Sequence, residues 1–296
     1  METKSAFVAI VGRPNVGKSS LMNRLLGEKI AIVTARPQTT RTRITGVLTL
    51  QETQLVFTDT PGLHKPKTRL SRYMVEQVQE TVADGDIAVL VTEAQGEITA
   101  AEHALLKSIR EAGERCILAI NKVDTLSRKE LLLERIRLWS ELYEFDEIIP
   151  LSAKTGEGVD ILCRTLCAMA GPSPHFFEED TLTDQPERVI VAEIIREKLL
   201  QNLQDEVPHG TAVTIERMHE REDRPLYDID ATIVCEKQSH KGIIIGKGGG
   251  MLKKIASLSR AEIEHFLGEK INLQCWVKVR DDWRQDEKTM RQLGFK

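Results

Sequence analysis

The chain has 296 residues, 41% of them apolar and 29% charged; that length exceeds one typical domain and predicts two, each able to bury its own core. No apolar run approaches the roughly 20 residues that a membrane span needs, which argues against an integral membrane protein. The formal net charge is −4, yet residues 237–280 carry nine Lys and Arg against three Glu, a local balance of +6 that suits a polyanionic partner. Five scattered cysteines without a CxxC pair predict reduced thiols and no zinc site. The opening METKSAFVAIVG lacks the apolar core of a signal peptide, so a cytoplasmic location is expected.

Along the chain, β-branched runs (AFVAIVG, TQLVFTDT, IAVLVTE, CILAINK, EIIPLSA) alternate with helical patterns up to about residue 170. Buried strands alternating with helices predict an α/β domain with a doubly wound, mostly parallel sheet, assigned to residues 1–171. Ligands are then expected at the carboxyl ends of its strands. A turn-rich acidic stretch with three prolines follows and is read as a linker over residues 172–187. Residues 188–296 read α-β-β-α-β with one more short helical turn before a glycine run, a smaller α+β domain.

GRPNVGKSS, residues 12–20, fits G-x-x-x-x-G-K-[ST] between a strand and a helix. Gly12 and Gly17 let the backbone turn around phosphates, with Arg13, Pro14, Asn15, Val16 and Ser20 completing the cradle. Its amides and the helix N-terminus supply partial positive charge. Lys18 suits the β- and γ-phosphates, and the Ser19 hydroxyl suits Mg²⁺. DTPG (Asp59, Thr60, Pro61, Gly62), NKVD (Asn121, Lys122, Asp124) and SAK (Ser152, Ala153, Lys154) each follow a predicted strand. A carboxylate at Asp124 accepts from both N1–H and the exocyclic amine of guanine, whereas adenine would leave it unpaired. Asn121 is expected to brace the loop, the Lys122 stem to lie along the base, and the Ala153 amide to meet O6.

These four motifs, in this order, resemble the translation-factor-related P-loop GTPases. The resemblance implies GTP and GDP as ligands and hydrolysis of GTP with Mg²⁺ as cofactor. It also implies that Asp59 reaches the metal through water and that the Gly62 amide senses the γ-phosphate. In ARPQTTRTR, residues 35–43, the family's switch threonine is assigned to Thr40, with Thr39 as the alternative; LHKPKTRLSRYM after DTPG is the expected second switch. Lys18, Thr40 and Gly62 are thus the expected catalytic groups, and Ser19, Thr40 and Asp59 the metal set. Leu63 stands where signalling GTPases carry a water-orienting glutamine, so slow intrinsic hydrolysis is expected. Related GTPases with GRPNVGKS use the asparagine at the position of Asn15 to bind potassium, a second expected cation.

GIIIGKGGGMLKKI, residues 242–255, looks like another phosphate loop but has Met251 where a hydroxyl should stand, and its glycine-to-lysine spacing differs. It fits instead the G-x-x-G loop of a KH domain, Gly246, Lys247, Gly248 and Gly249. Ile243, Ile244 and Ile245 are expected to line an apolar groove for bases, and Lys253 and Lys254 to extend the phosphate contacts. With a helix before the glycines, the order α-β-β-α-α-β is that of a type II KH domain. GTPase motifs joined to such a domain resemble the bacterial Era GTPases over nearly the whole chain, including the closing VKVRDDWR. That resemblance implies a monomer that binds the 3′ end of 16S ribosomal RNA, assists assembly of the small (30S) ribosomal subunit and associates peripherally with the inner face of the cell membrane. The competing reading is a regulatory GTPase whose second domain docks on a protein or membrane partner; a nucleotide kinase would leave NKVD unexplained.

Overall fold

The structure is a computed structural model that describes residues 3–63 and 66–295. His64 and Lys65, part of the expected second switch, lie outside the described residues. The chain divides into two compact units, Met1–Lys67 with Ser71–Asp184, and Gln185–Lys296 with Thr68–Leu70.

The first unit contains β1 (Lys4–Val11), α1 (Lys18–Leu26), β2 (Ile44–Leu50), β3 (Thr53–Asp59), α2 (Arg69–Ala83), β4 (Ile87–Glu93), α3 (Ala100–Ala112), β5 (Arg115–Asn121), α4 (Glu130–Ser140), β6 (Glu147–Pro150), α5 (Val159–Met169) and the two-residue β7 (Gly171–Pro172). The strands lie in the order β2-β3-β1-β4-β5-β6, with β7 antiparallel to β1. Only β2 and β7 run against the rest. Alternation along each central strand builds two cores. Ala6, Val8 and Ile10 of β1 face the cluster that takes Leu21 and Met22 of α1 and Leu162 and Leu166 of α5. Ala9 and Val11 face the opposite cluster, with Val78 of α2, Leu105 of α3 and Trp139 of α4. Both faces of the sheet are covered, which is why its strands read as continuous apolar runs. Among the described residues no helix is long and apolar enough to cross a membrane.

The segment expected as a linker packs on this first unit as far as Thr183. Gln54 of β3, fully buried, accepts from the backbone N–H groups of Phe176 and Phe177 at 2.7 and 3.0 Å and donates to the Phe177 carbonyl at 3.0 Å. The Phe7 and Phe176 rings lie 4.9 Å apart, and the Val47 N–H donates to the Leu182 carbonyl at 2.8 Å. Its polar composition therefore hides a backbone-anchored strap.

The second unit contains α6 (Glu187–Asn202), β8 (Ala212–Glu220), β9 (Leu226–Cys235), α7 (Gln238–Ile245), α8 (Gly250–Leu267), β10 (Lys270–Val279) and α9 (Glu287–Gln292). Up to β10 this is the order α-β-β-α-α-β of a type II KH fold. Its sheet runs β10-β9-β8, with β10 parallel and β8 antiparallel to the central β9. Ile190, Val191, Ile194, Ile195 and Leu199 form a helical stripe on α6 that meets Ile229, Ala231 and Ile233 of β9.

Candidate functional site

All four motifs of the first unit lie at the carboxyl ends of its parallel strands, as the doubly wound topology requires. The first three of them border a cleft of about 470 Å³ lined by Pro14, Asn15, Gly17, Lys18, Ser19, Ser20, Thr39, Thr40, Gly62 and Lys122 among others. The phosphate loop leaves β1, and Gly17 takes φ 97° before α1 begins. A Cβ there would stand 2.3 Å from Asn121 Nδ2, so glycine is required by contact as well as by backbone. The Lys18 ammonium is nearly buried and, ahead of a phosphate, donates to the carbonyls of Gly12 and Arg13 at 3.1 Å each. Burial pushes it down to about 8, against the opposing charge of Asp59.

Three oxygens from three elements converge beside it. Ser19 Oγ donates to Asp59 Oδ2 at 2.6 Å, Thr40 Oγ1 donates to the same oxygen at 3.1 Å, and the two hydroxyls are 2.9 Å apart. Of the two candidate threonines, Thr40 joins this cluster, whereas Thr39 donates to the Arg36 carbonyl at 2.8 Å. Asp59 is fully buried, and its Oδ1 has no hydrogen-bond partner among the described residues. Burial raises its pKa although Lys18 and both hydroxyls oppose the shift. A carboxylate oxygen left bare in the interior beside two hydroxyls is the hard-oxygen donor set that Mg²⁺ takes, so these residues fit the ion.

Asn121 ties the base-side loops together. Its Nδ2 donates to the Val16 carbonyl at 2.8 Å, and its Oδ1 accepts from the Lys122 and Ala153 amides at 2.8 and 2.9 Å. Ser152 is buried, and its Oγ donates to Asp124 Oδ1 at 2.7 Å, fixing one carboxylate oxygen of an otherwise exposed side chain. Lys154 is exposed, and its carbonyl accepts from Arg24 at 2.5 Å. Thr60 anchors its loop on the Ile10 carbonyl at 2.9 Å, and the Leu63 N–H donates to the Gly12 carbonyl at 3.3 Å. The Leu63 side chain packs toward α2 and α3, against the core that holds Val78 and Leu105. Asn15 sits at φ 65° with its Nδ2 on the Ala35 carbonyl at 3.0 Å.

Sequence reasoning passed over Glu93. At the end of β4 its carboxylate takes the Arg13 guanidinium on one oxygen and the Lys122 ammonium on the other. Burial alone would raise its pKa, but these two cations hold it below the usual carboxylate range. Arg13 also lies 3.6 Å from the fully buried Glu102, itself bonded to Thr92 at 2.7 Å. A lone acid ending a strand carries no spacing signal, so only the fold could bring it between two motifs.

In the second unit the glycine loop joins α7 to α8 through a single 3₁₀ turn at Lys247–Gly249. Gly246, Gly248 and Gly249 have φ of 73°, 60° and 78°, and Lys247, Gly248, Lys253 and Lys254 are exposed. The expected apolar groove needs correction. Ile243 is half exposed, but Ile244 is fully buried in the core and Ile245 packs against it. On a helix successive residues point about 100° apart, so three in a row cannot share one face. Ile244 supports the loop from beneath, leaving Ile243 as the one of the three with substantial open surface.

The family model described as 50S ribosome-binding GTPase matches residues 7–122, and that described as KH domain matches residues 206–284. GTPase Era of Ruminiclostridium cellulolyticum is 49% identical over 100% of this chain and 99% of its own length. GTPase Era of Clostridioides difficile is 45% identical over 99% of this chain and 98% of its own. Among solved structures, a variant of Aquifex aeolicus Era bound to GDP and AlF4⁻ superposes with a TM-score of 0.95 at 35% identity, covering 99% of each chain. Era in complex with MgGDPNP and nucleotides 1506–1542 of 16S ribosomal RNA matches equally well, at TM-score 0.95, 35% identity and 99% of each chain. With the nucleotide cleft and the KH loop both present in one chain matched from end to end, the chain belongs to the Era family of GTPases.

Proposed function

We propose that the protein is a GTP-driven switch that binds the 3′ end of 16S ribosomal RNA through its KH unit during assembly of the 30S subunit. The observation that carries the RNA half is the exposed, positively charged G-x-x-G loop on a type II KH fold, together with a relative solved with that RNA. In the nucleotide half, Asp124, oriented by Ser152, reads the guanine edge and the Lys122 stem lies along the ring, while the Ala153 amide must leave Asn121 Oδ1 to meet O6. Lys18 releases the Gly12 and Arg13 carbonyls for the β- and γ-phosphates.

Ser19, Thr40 and Asp59 hold Mg²⁺, which supplies charge neutralisation at the β- and γ-oxygens when bound. Thr40 and the Gly62 amide then report the γ-phosphate to their loops. Leu63 gives no hydrogen bond to a water, and its burial toward α2 and α3 keeps it out of the reacting space. Asn15, with its Nδ2 held by Ala35, has its Oδ1 to offer a potassium ion at the phosphates. Turnover that falls when sodium replaces potassium, and loses that dependence in Asn15→Ala, supports this role; equal rates in both salts refute it.

The test of the whole reading is binding of a single-stranded 3′ segment of 16S ribosomal RNA with GTP analogue and with GDP, across salt concentrations. Salt-sensitive binding that differs between nucleotides is expected, abolished by Gly248→Asp with guanine nucleotide affinity intact. Absence of RNA binding in both nucleotide states would instead favour a second unit that docks on protein or membrane.

A further inference from the structure

The outer face of β10 combines an exposed aromatic ring with free positive charge. Ile271, Leu273, Cys275, Val277 and Val279 face the core of the second unit, so alternation turns Asn272, Gln274, Trp276 and Lys278 to the opposite face. Arg280 follows in the same phase. Trp276 is 45% exposed, whereas Trp139 and Trp283 are fully buried. Its row neighbours across the sheet are Thr232 and Thr214, both short.

Two of the acids on this face are already neutralised, and the exposed Glu216 accepts from Thr214 Oγ1 at 3.1 Å. Asp228 is held by Arg221 at 2.7 and 2.8 Å and by Asn272 at 2.8 Å, and Asp230 by Arg217 at 3.0 Å. Lys278 and Arg280 are exposed, and neither has an acid at ion-pair distance among the described residues. An aromatic platform flanked by uncompensated cations is the combination that binds single-stranded nucleic acid, bases on the ring and phosphates on the charges.

The topology also gives the strand a route. α8 runs 18 residues away from the glycine loop, about 27 Å at the helical rise. After the turn at Gly268, β10 returns over 10 residues, about 33 Å at the strand rise, to the end of the sheet from which the 8-residue α7 leads to the loop. The Arg280 N–H confirms the return, donating at 2.8 Å to the carbonyl of Cys235, three residues before α7 begins. β10 is an edge strand, so a chain leaving the loop can cross it without meeting another strand.

We propose that single-stranded RNA held at the glycine loop continues over the edge of β10 and stacks a base on Trp276, with Lys278 and Arg280 taking its phosphates. This rests on the reading of the second unit as an RNA-binding KH domain. The test uses the full chain with two RNA probes, one of about four nucleotides that fills the loop cleft alone and one of about twelve.

The longer probe is expected to quench the intrinsic fluorescence of Trp276 and shield it from acrylamide, and the shorter one to do neither. Trp276→Ala, and independently the pair Lys278→Glu and Arg280→Glu, should weaken the longer probe roughly tenfold and leave the shorter one within twofold. Trp276→Phe should retain most of the affinity, which a loss of folding would not allow. Unchanged affinity of the longer probe in both Trp276→Ala and the charge-reversed pair, with binding still abolished by Gly248→Asp, would overturn this surface and leave the KH reading standing. Failure of the wild-type protein to bind either probe would overturn both.

Discussion

Glu93 and Lys122 form an ion pair whose carboxylate also holds Arg13, so one side chain at the end of β4 joins the phosphate loop to the guanine-recognition loop. Lys122 simultaneously donates to the Asn15 carbonyl at 2.7 Å, closing the same connection from the other side. A nucleotide spans both loops, and a brace between them keeps both ends of the site in register. Glu93→Gln keeps the shape but removes the charge, and Glu93→Ala removes both. We expect release of fluorescent GDP to accelerate about tenfold in the alanine variant, about 1.4 kcal/mol, and by a smaller factor in the glutamine variant. Stopped-flow displacement measures this. Equal release rates in all three proteins would show that Asn121 and the Lys122–Asn15 hydrogen bond hold the two loops without Glu93.

What the sequence could and could not announce divides along physical lines. Gly17, Lys18, Ser19, Asp59, Asn121 and Asp124 could be singled out as candidates because phosphate, metal and base each demand particular donors at fixed spacing. The alternation of buried strands and helices announced the sheet for the same reason, since covering both faces of a parallel sheet forces apolar runs. Glu93 was silent because its partners come from two distant loops. The burial of Ile244 was also silent, for α7 has only 8 residues and too few turns to display a stripe. The strap from Ser173 to Thr183 was misleading in a different way: Gln54 and Val47 hold its main chain, so its side chains could remain polar and linker-like.

We expect Asp124 to set the identity of the base. One of its oxygens is engaged by Ser152 at 2.7 Å, which holds the carboxylate plane while both oxygens retain lone pairs for N1–H and the amine of guanine. Asp124→Asn replaces one acceptor with a donor, which matches the C2 carbonyl of xanthine. Affinity for GDP should fall by roughly 10³- to 10⁴-fold while affinity for XDP rises above it. Competition titration of the two diphosphates decides the matter. A variant that keeps its preference for GDP would show that the specificity lies in the Ala153 amide instead.

Glu114, between α3 and β5, has both carboxylate oxygens buried without a geometrically sound partner among the described residues. Burial, with the charges of Asp86 and then Asp84, pushes it up from 4.5 to about 7. The folded state therefore keeps this proton to higher pH than the unfolded chain does. Its contribution to stability is complete below pH 4.5, declines as pH rises through 7, and stays lost above that. Glu114→Gln should flatten this slope and stabilise the protein at pH 8 by about 1 to 2 kcal/mol, discounted for the partly exposed side chain, or a few degrees in Tm. Thermal melts at pH 5 and pH 8 give the comparison, and a variant that loses stability at both would refute the buried charge as the cause.

The glycine loop separates backbone need from surface need. At Gly246 a Cβ would stand 2.7 Å from Met251 Cβ and 2.9 Å from its amide nitrogen, with φ at 73°. At Gly248, with φ 60°, nothing lies within 4 Å of a Cβ. Gly246→Ala must therefore move the start of α8 and should destabilise the second unit by about 2 to 3 kcal/mol. Gly248→Ala pays only the left-handed backbone penalty of about 1 kcal/mol, and Gly248→Asp less, because aspartate tolerates that conformation better than alanine. The two sites should thus rank oppositely in two measurements. Chemical denaturation should find Gly246→Ala the weaker protein, and RNA titration at low denaturant should find Gly248→Asp the weaker binder despite its sounder fold. If Gly248→Asp instead unfolds as readily as Gly246→Ala, its loss of RNA affinity reports on stability, and the open space over Gly248 is not where the RNA backbone approaches.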